Sequence, residues 1–147
     1  MGGAIYRLVF ASAATRPFDD GSLSHMVRAA DARAVADNLT GMMLFLDGNF
    51  LFIVEGASAA VEAAFAETRG DPRHSATMVL LREEGDKRLF ADWSMGYRRM
   101  LASDPARPAG AFELNRAALR ARFAGGAAMR LLPLVARFYQ TNTREPL

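Results

Sequence analysis

Apolar residues recur along this chain in two alternating spacings, one suited to strands and one to helices. Ala4 to Ser12, with Ile5, Leu8, Val9 and Phe10, is apolar on both faces, as in a central strand covered from both sides. Phe18-Asp19-Asp20 then leads into a helix of about four turns ending near Asp37; Leu23, Met26, Val27, Ala30 and Ala34 form its inward stripe. Leu39 to Leu46 and Asn49 to Glu55 read as strands joined at Asp47-Gly48, a two-residue type I′ hairpin turn. Ser58 is placed to cap a second helix running to about Thr68, with Val61, Ala64 and Phe65 inward and Glu62 and Glu67 outward. Gly70-Asp71-Pro72 stops it. Thr77 to Glu83 is a fourth strand, and Arg88 to Met100 holds a fifth, with Trp93 and Met95 on one face.

The order β-α-β-β-α-β-β predicts an α/β (α+β) ferredoxin-like sandwich: a five-stranded mixed sheet with two helices on one face. Residues 1–101 form this domain, 102–110, with two prolines, a linker, and 111–147 a helical cap. The cap is expected to hold helices at about Ala111 to Phe123 and Ala127 to Gln140, separated by Gly125-Gly126. Pro133 must kink the last helix or start a new turn. Met129, Leu131, Leu132, Leu134, Val135 and Phe138 fit it to the free face of the sheet or to a partner.

Composition narrows the chemistry. With 18 Lys and Arg against 16 Asp and Glu, the net charge is +2, and no basic run suits a polyanion, so nucleic acid is not expected as a partner. The absence of cysteine removes disulfides, thiolate metal sites and cysteine nucleophiles, and fits a cytoplasmic protein. No secretory leader is read at the N-terminus, and the longest apolar stretch, cut by Asp47, is too short to cross a bilayer. Nucleophile–base spacings, metal-ligand clusters and phosphate-binding glycine motifs are missing, so an enzyme is not expected.

Several short motifs stand in register. They are Leu8-Val9-Phe10-Ala11-Ser12, Leu39-Thr40-Gly41, Asp47-Gly48 followed by Glu55-Gly56, Asp71-Pro72-Arg73-His74, and Phe90-Ala91-Asp92-Trp93-Ser94-Met95. Over residues 4–98 this pattern resembles the BLUF domain, a flavin-binding sensor of blue light. The resemblance implies FAD held between the two helices against the sheet. It also implies a switch in which a strand-one tyrosine gives an electron and a proton to the excited flavin, and a strand-three glutamine relays the proton and changes its hydrogen bonding.

This chain departs from the pattern at that chemistry. Phe10 stands at the tyrosine position and Phe52 at the glutamine position. Arg33 and Ala34 replace two first-helix asparagines, and Glu67 replaces a basic residue of the second helix. Tyr6 is no substitute: it lies four residues before Phe10, roughly 13 Å away along a strand. The cofactor-binding candidates are therefore Asp71, Arg73, His74, Trp93, Met95 and Arg33. Each has a plainer reading: Asp71 as a turn residue, Arg73 and His74 as surface groups, Trp93 and Met95 as packing, Arg33 as a solvated helix arginine. On the pocket side of its helix, Arg33 could otherwise pair an anion.

The sequence thus predicts a sensory or regulatory protein of this type with flavin binding weakened or lost and no Tyr/Gln photocycle. It would act on an unidentified protein partner, as a homo-oligomer, with neither nucleic acid nor membrane involved. With no output domain recognised, a signal would leave through the C-terminal helices or an oligomer. The alternative is a ligand-free interaction module in which Phe10 and Phe52 fill the core.

Overall fold

The computed structural model describes residues 4–98, 109–124 and 126–147. In chain order the elements are β1 (Ile5–Ala14), α1 (Asp20–Ala36), β2 (Thr40–Leu46), β3 (Asn49–Gly56), α2 (Ser58–Gly70), β4 (His74–Gly85), β5 (Trp93–Tyr97), β6 (Ala111–Glu113), α3 (Arg116–Phe123), a 3-10 turn (Ala127–Leu131) and α4 (Leu132–Thr143). They build one mixed sheet of order β4-β1-β3-β2-β5-β6. β1 pairs antiparallel with β3 and β4, β2 antiparallel with β3, and β5 parallel with β2 and β6.

Local chemistry accounts for most boundaries. Asp19 caps α1 by accepting from the Ser22 amide at 2.7 Å. Asp47 and Gly48 both have positive φ, 51° and 81°, as a type I′ turn requires. Gly41 has φ of 132°, and a Cβ there would sit 1.9 Å from the Ile53 carbonyl oxygen, so the close β2–β3 approach admits only glycine.

Two cores share the sheet. Leu8, Phe10, Met43, Phe50, Phe52, Val54 and Met95 pack under α1 and α2 together with Val27, Val61 and Phe65. On the opposite face, Val9, Met42, Leu44, Leu51 and Ile53 pack under Leu119, Phe123, Leu131, Val135 and Tyr139. The C-terminal helices therefore cover the free face, one of the two placements their apolar content allowed.

Three expectations are corrected. The sheet has six strands, not five, because Ala111–Glu113 forms β6 beside β5 instead of beginning a helix. α3 starts only at Arg116, where Asn115 accepts from the Ala118 amide at 2.8 Å. Ser58 does not cap α2: Ala57 holds the cap position and no side chain caps it. Pro133 lies in the first turn of α4, so it starts a helix after the 3-10 turn, where its missing N–H costs nothing. Of the expected linker at 102–110, residues 102–108 lie outside the described residues, as do Met100 and Gly125.

The second face also buries an ion pair. Glu55 is fully buried and Arg7 nearly so, and Arg7 Nε donates to Glu55 at 2.9 Å. Glu55 further accepts from the Thr40 hydroxyl at 2.9 Å and from the amides of Leu89 and Phe90 at 3.0 and 2.8 Å. Arg7 also pairs with Glu83 and donates to the Lys87 carbonyl at 3.1 Å. Every arm of the carboxylate is thus used. Glu55→Ala would leave a buried guanidinium short of a partner and free two loop amides. A loss of about 3–5 kcal/mol is expected in urea unfolding, with an unchanged m-value.

Candidate functional site

β-register brings the first candidates together. Phe10 on β1 lies directly opposite Phe52 on β3, and Phe52 opposite Met43 on β2. Met43 in turn pairs with Met95 on β5, so these side chains form one row across the helix-facing side. Phe10 and Phe52 stack face to face, with centroids 4.7 Å apart and planes 14° apart. Phe65 of α2 meets Phe10 edge-on at 4.9 Å, and Phe50 stacks on Phe52 at 5.8 Å. Each such contact adds about 0.5–1.5 kcal/mol beyond area burial.

Above this floor, between α1 and α2, lies a cavity of about 120 Å³. Its apolar wall includes Met26, Ala30, Ala34, Leu39 and Val54, and its rim carries Arg33, Glu67, Asp71, Arg73 and His74. Trp93 closes one side. Five of the six candidates, Arg33, Asp71, Arg73, His74 and Trp93, therefore share one cavity. Met95 does not line it; it is fully buried, one strand beyond Met43 in the row.

The charged rim is paired internally. Arg33 bonds both Asp37, one turn along α1, and Glu67 of α2, so the anion it holds belongs to the chain. This pair spans the two helices at the cavity mouth. Asp71 follows α2, where its carboxylate accepts from the Arg73 amide at 2.9 Å and from the Arg73 guanidinium at 2.6–3.1 Å. The Arg73 guanidinium holds the Asp71 pKa below the usual carboxylate range.

His74 is half-buried, not a surface group as expected, because it opens β4 instead of sitting in a loop. Its ring packs on Phe50 at 4.5 Å, and its Nδ1 lies 2.9 Å from the Ser12 hydroxyl. Burial pushes its pKa below 6.5, with Asp71 opposing and Arg73 reinforcing the shift. The Trp93 indole N–H is buried without an acceptor, the one such side-chain atom among the described residues. Tyr6 is tied to Glu62 and Arg82, away from the cavity.

The cavity also uses residues that sequence reading did not single out as site residues. Met26, Ala30 and Met43 supply much of the wall; the helical stripe marked Met26 and Ala30 as inward, but nothing in that spacing separates a wall from a core.

The family described as BLUF, sensors of blue-light using FAD, matches residues 5–96. The photoactivated adenylate cyclase subunit alpha of Euglena gracilis is 29% identical over 106 residues, covering 70% of this chain and 10% of that protein. The chain thus spans about a tenth of the length of the curated relatives it matches. Klebsiella pneumoniae BlrP1 with FMN and cyclic diGMP shares the fold, with a TM-score of 0.68 at 24% identity over 91% of this chain and 34% of that one. The dark-state structure of BlrB, a BLUF protein, gives a TM-score of 0.60 at 25% identity over 66% and 74% of the two chains.

A neutral native His74 sets an acid limb of stability. Below pH 6.5 the unfolded imidazole takes up a proton that the native one resists, so its stabilising effect is full above pH 6.5 and lost as pH falls through the native pKa. The urea midpoint should drop between pH 7.5 and pH 5.5, and His74→Gln should flatten that drop. The loss tied to Asp71, whose pKa is also lowered, belongs below the ordinary carboxylate value and outside this window.

Proposed function

Since the chain belongs to the BLUF family of blue-light sensors using FAD, we propose that it is a sensory or regulatory member whose pocket binds flavin weakly or not at all and does not run the Tyr/Gln photocycle. The observation that carries this reading is the Phe10–Phe52 stack. A phenol and an amide at these positions could exchange a proton and a hydrogen bond; two phenyl rings can do neither.

Cavity size supports the same reading. An apolar cavity of roughly 150 Å³ admits one benzene ring, and the space here is about 120 Å³. That space is smaller than a three-ring flavin head needs, which supports weak or absent binding. Three missing neutral hydrogen bonds, at Phe10, Ala34 and Phe52, correspond to about 2–4 kcal/mol, or roughly 30- to 1000-fold in affinity.

On this reading the protein works through contacts with a protein partner, as a homo-oligomer, in the cytoplasm. Support for a contact surface comes from β4, the outer strand of the sheet, where Met78, Val79 and Leu80 are exposed. Among the described residues no helix is long and apolar enough to cross a membrane.

An absorption spectrum tests the proposal. Purified protein mixed with excess FAD and then desalted should carry little or no flavin band, and blue light should leave any residual band in place. A stoichiometric band with a reversible red shift under blue light would overturn it.

A further inference from the structure

Charge is unevenly divided along this chain. Residues 111–147 carry six arginines against two glutamates, a net +4, while residues 1–110 carry twelve cations against fourteen acids, a net −2. In the sheet and its first two helices, Arg7, Arg33, Arg73 and Arg82 each meet a carboxylate. In the cap only Arg130 does so, on Glu83. Arg116, Arg120, Arg122, Arg137 and Arg144 are exposed and form no ion pair among the described residues.

Part of this charge is gathered at one end of the cap. Arg116 Nη1 donates to the Pro146 carbonyl at 3.3 Å, which sets the first residue of α3 beside the end of α4. Arg144 is the residue that closes α4, and the exposed Arg98, after β5, reaches Glu145 at 3.7 Å. Arg120 follows Arg116 by four residues, on the same side of α3. Four arginines thus surround the tail 144–146. Counting both glutamates of the cap, Glu145 here and Glu113 opposite Tyr97 at the end of β6, the group keeps a charge of +2.

The fold does not call for that charge. Arg116 opens α3, where the helix dipole disfavours a cation, and Arg116 and Arg120 repel across one turn. Arg144 has φ of 62°, the left-handed conformation usually given to glycine after a helix. Guanidinium groups without a carboxylate are complementary to carboxylates, which they bind through paired hydrogen bonds. The neighbouring surface favours a protein as their source: α4 exposes Pro133, Arg137, Gln140 and Thr141, with no exposed aromatic or leucine of the kind that enters lipid or stacks on bases.

We propose that this end of the cap is a docking face for an acidic segment of a protein partner, whose aspartate and glutamate side chains accept from Arg116, Arg120 and Arg144. This rests on the reading that the chain acts through a protein partner.

Fluorescence anisotropy of a labelled peptide of alternating glutamate and alanine tests the assignment on the full chain. The peptide should bind saturably in low salt and more weakly as salt rises; the same peptide with glutamine for glutamate should not bind. Arg120→Gln/Arg144→Gln should weaken binding about tenfold. Arg120→Gln alone, at a side chain without a hydrogen-bond partner among the described residues, should weaken it about threefold. Arg16→Gln/Arg28→Gln, which removes two exposed arginines elsewhere, should change it by less than about twofold. Thermal midpoints should show every variant folded.

Equal losses in the two double variants mean that net charge alone is read, and overturn the docking face. A silent glutamate peptide, with phosphatidylserine vesicles and a DNA duplex also silent, overturns this inference and leaves the protein-partner reading standing on another surface. Vesicles or duplex that bind more tightly than the peptide, and release in Arg120→Gln/Arg144→Gln, overturn both.

Discussion

The constraint on which this structure depends is the burial of one carboxylate. Glu55 sits at the end of the central strand β3, fully enclosed, and ionised carboxylates tolerate such enclosure only when every oxygen is met. Here Arg7 comes from β1, Thr40 from β2, and two amides from the segment leading to β5. One side chain therefore fixes four pieces of chain relative to one another. The Glu55-Gly56 motif is structural in this protein, since Glu55 faces the side of the sheet away from the cavity. Arg7 extends the set to Glu83, which also accepts from Arg130 at 2.6–2.7 Å. A continuous line of paired charges thus runs from the middle of the sheet into the C-terminal 3-10 turn. The outer links, at an exposed Arg130, contribute little energy, as solvent-screened pairs do; the inner pair sets the geometry.

On the other face, packing dominates and polarity is residual. The cavity floor is made by aromatic contacts, each modest, that together hold Phe10, Phe50, Phe52 and Phe65 in one cluster. The rim is charged but neutral in sum, because Arg33–Glu67 and Asp71–Arg73 satisfy each other. Arg33 and Glu67 are explained together: a cation on α1 and an anion on α2 meet across the mouth. Two residues that look independent along the chain are a single contact in space.

What the sequence disclosed was governed by local rules. The hairpin at Asp47-Gly48, the Asp19 start of α1 and the inward stripe of that helix are each set by residues within one turn or one pleat, and each stands where the pattern placed it. Errors arose where distant chain decided the outcome. Ala111-Phe112-Glu113 has no strand signature of its own; it is extended because β5 offers an unpaired edge. Asn115, a strong cap residue just before the helix, was a legible signal for the true start of α3. The gathering of Arg33, Asp71, Arg73, His74 and Trp93 around one cavity followed from family likeness; local spacing carries no trace of it. The internal pairing of those charges was not legible at all, since helical periodicity marked Glu67 only as outward.

The direct opposition of Phe10 and Phe52 across β1 and β3 couples the two positions under mutation. An amide introduced at position 52 alone would be buried against a phenyl ring, with an unmet polar group costing about 1–3 kcal/mol. A phenol introduced at position 10 alone meets the same obstacle from the other side. Each phenylalanine thus makes a polar change at the other costly, and single substitutions face a valley between an aromatic pair and a hydrogen-bonded one. The two positions are best regarded as one unit of sequence, because the stacking that builds the floor of the pocket penalises changing either ring alone.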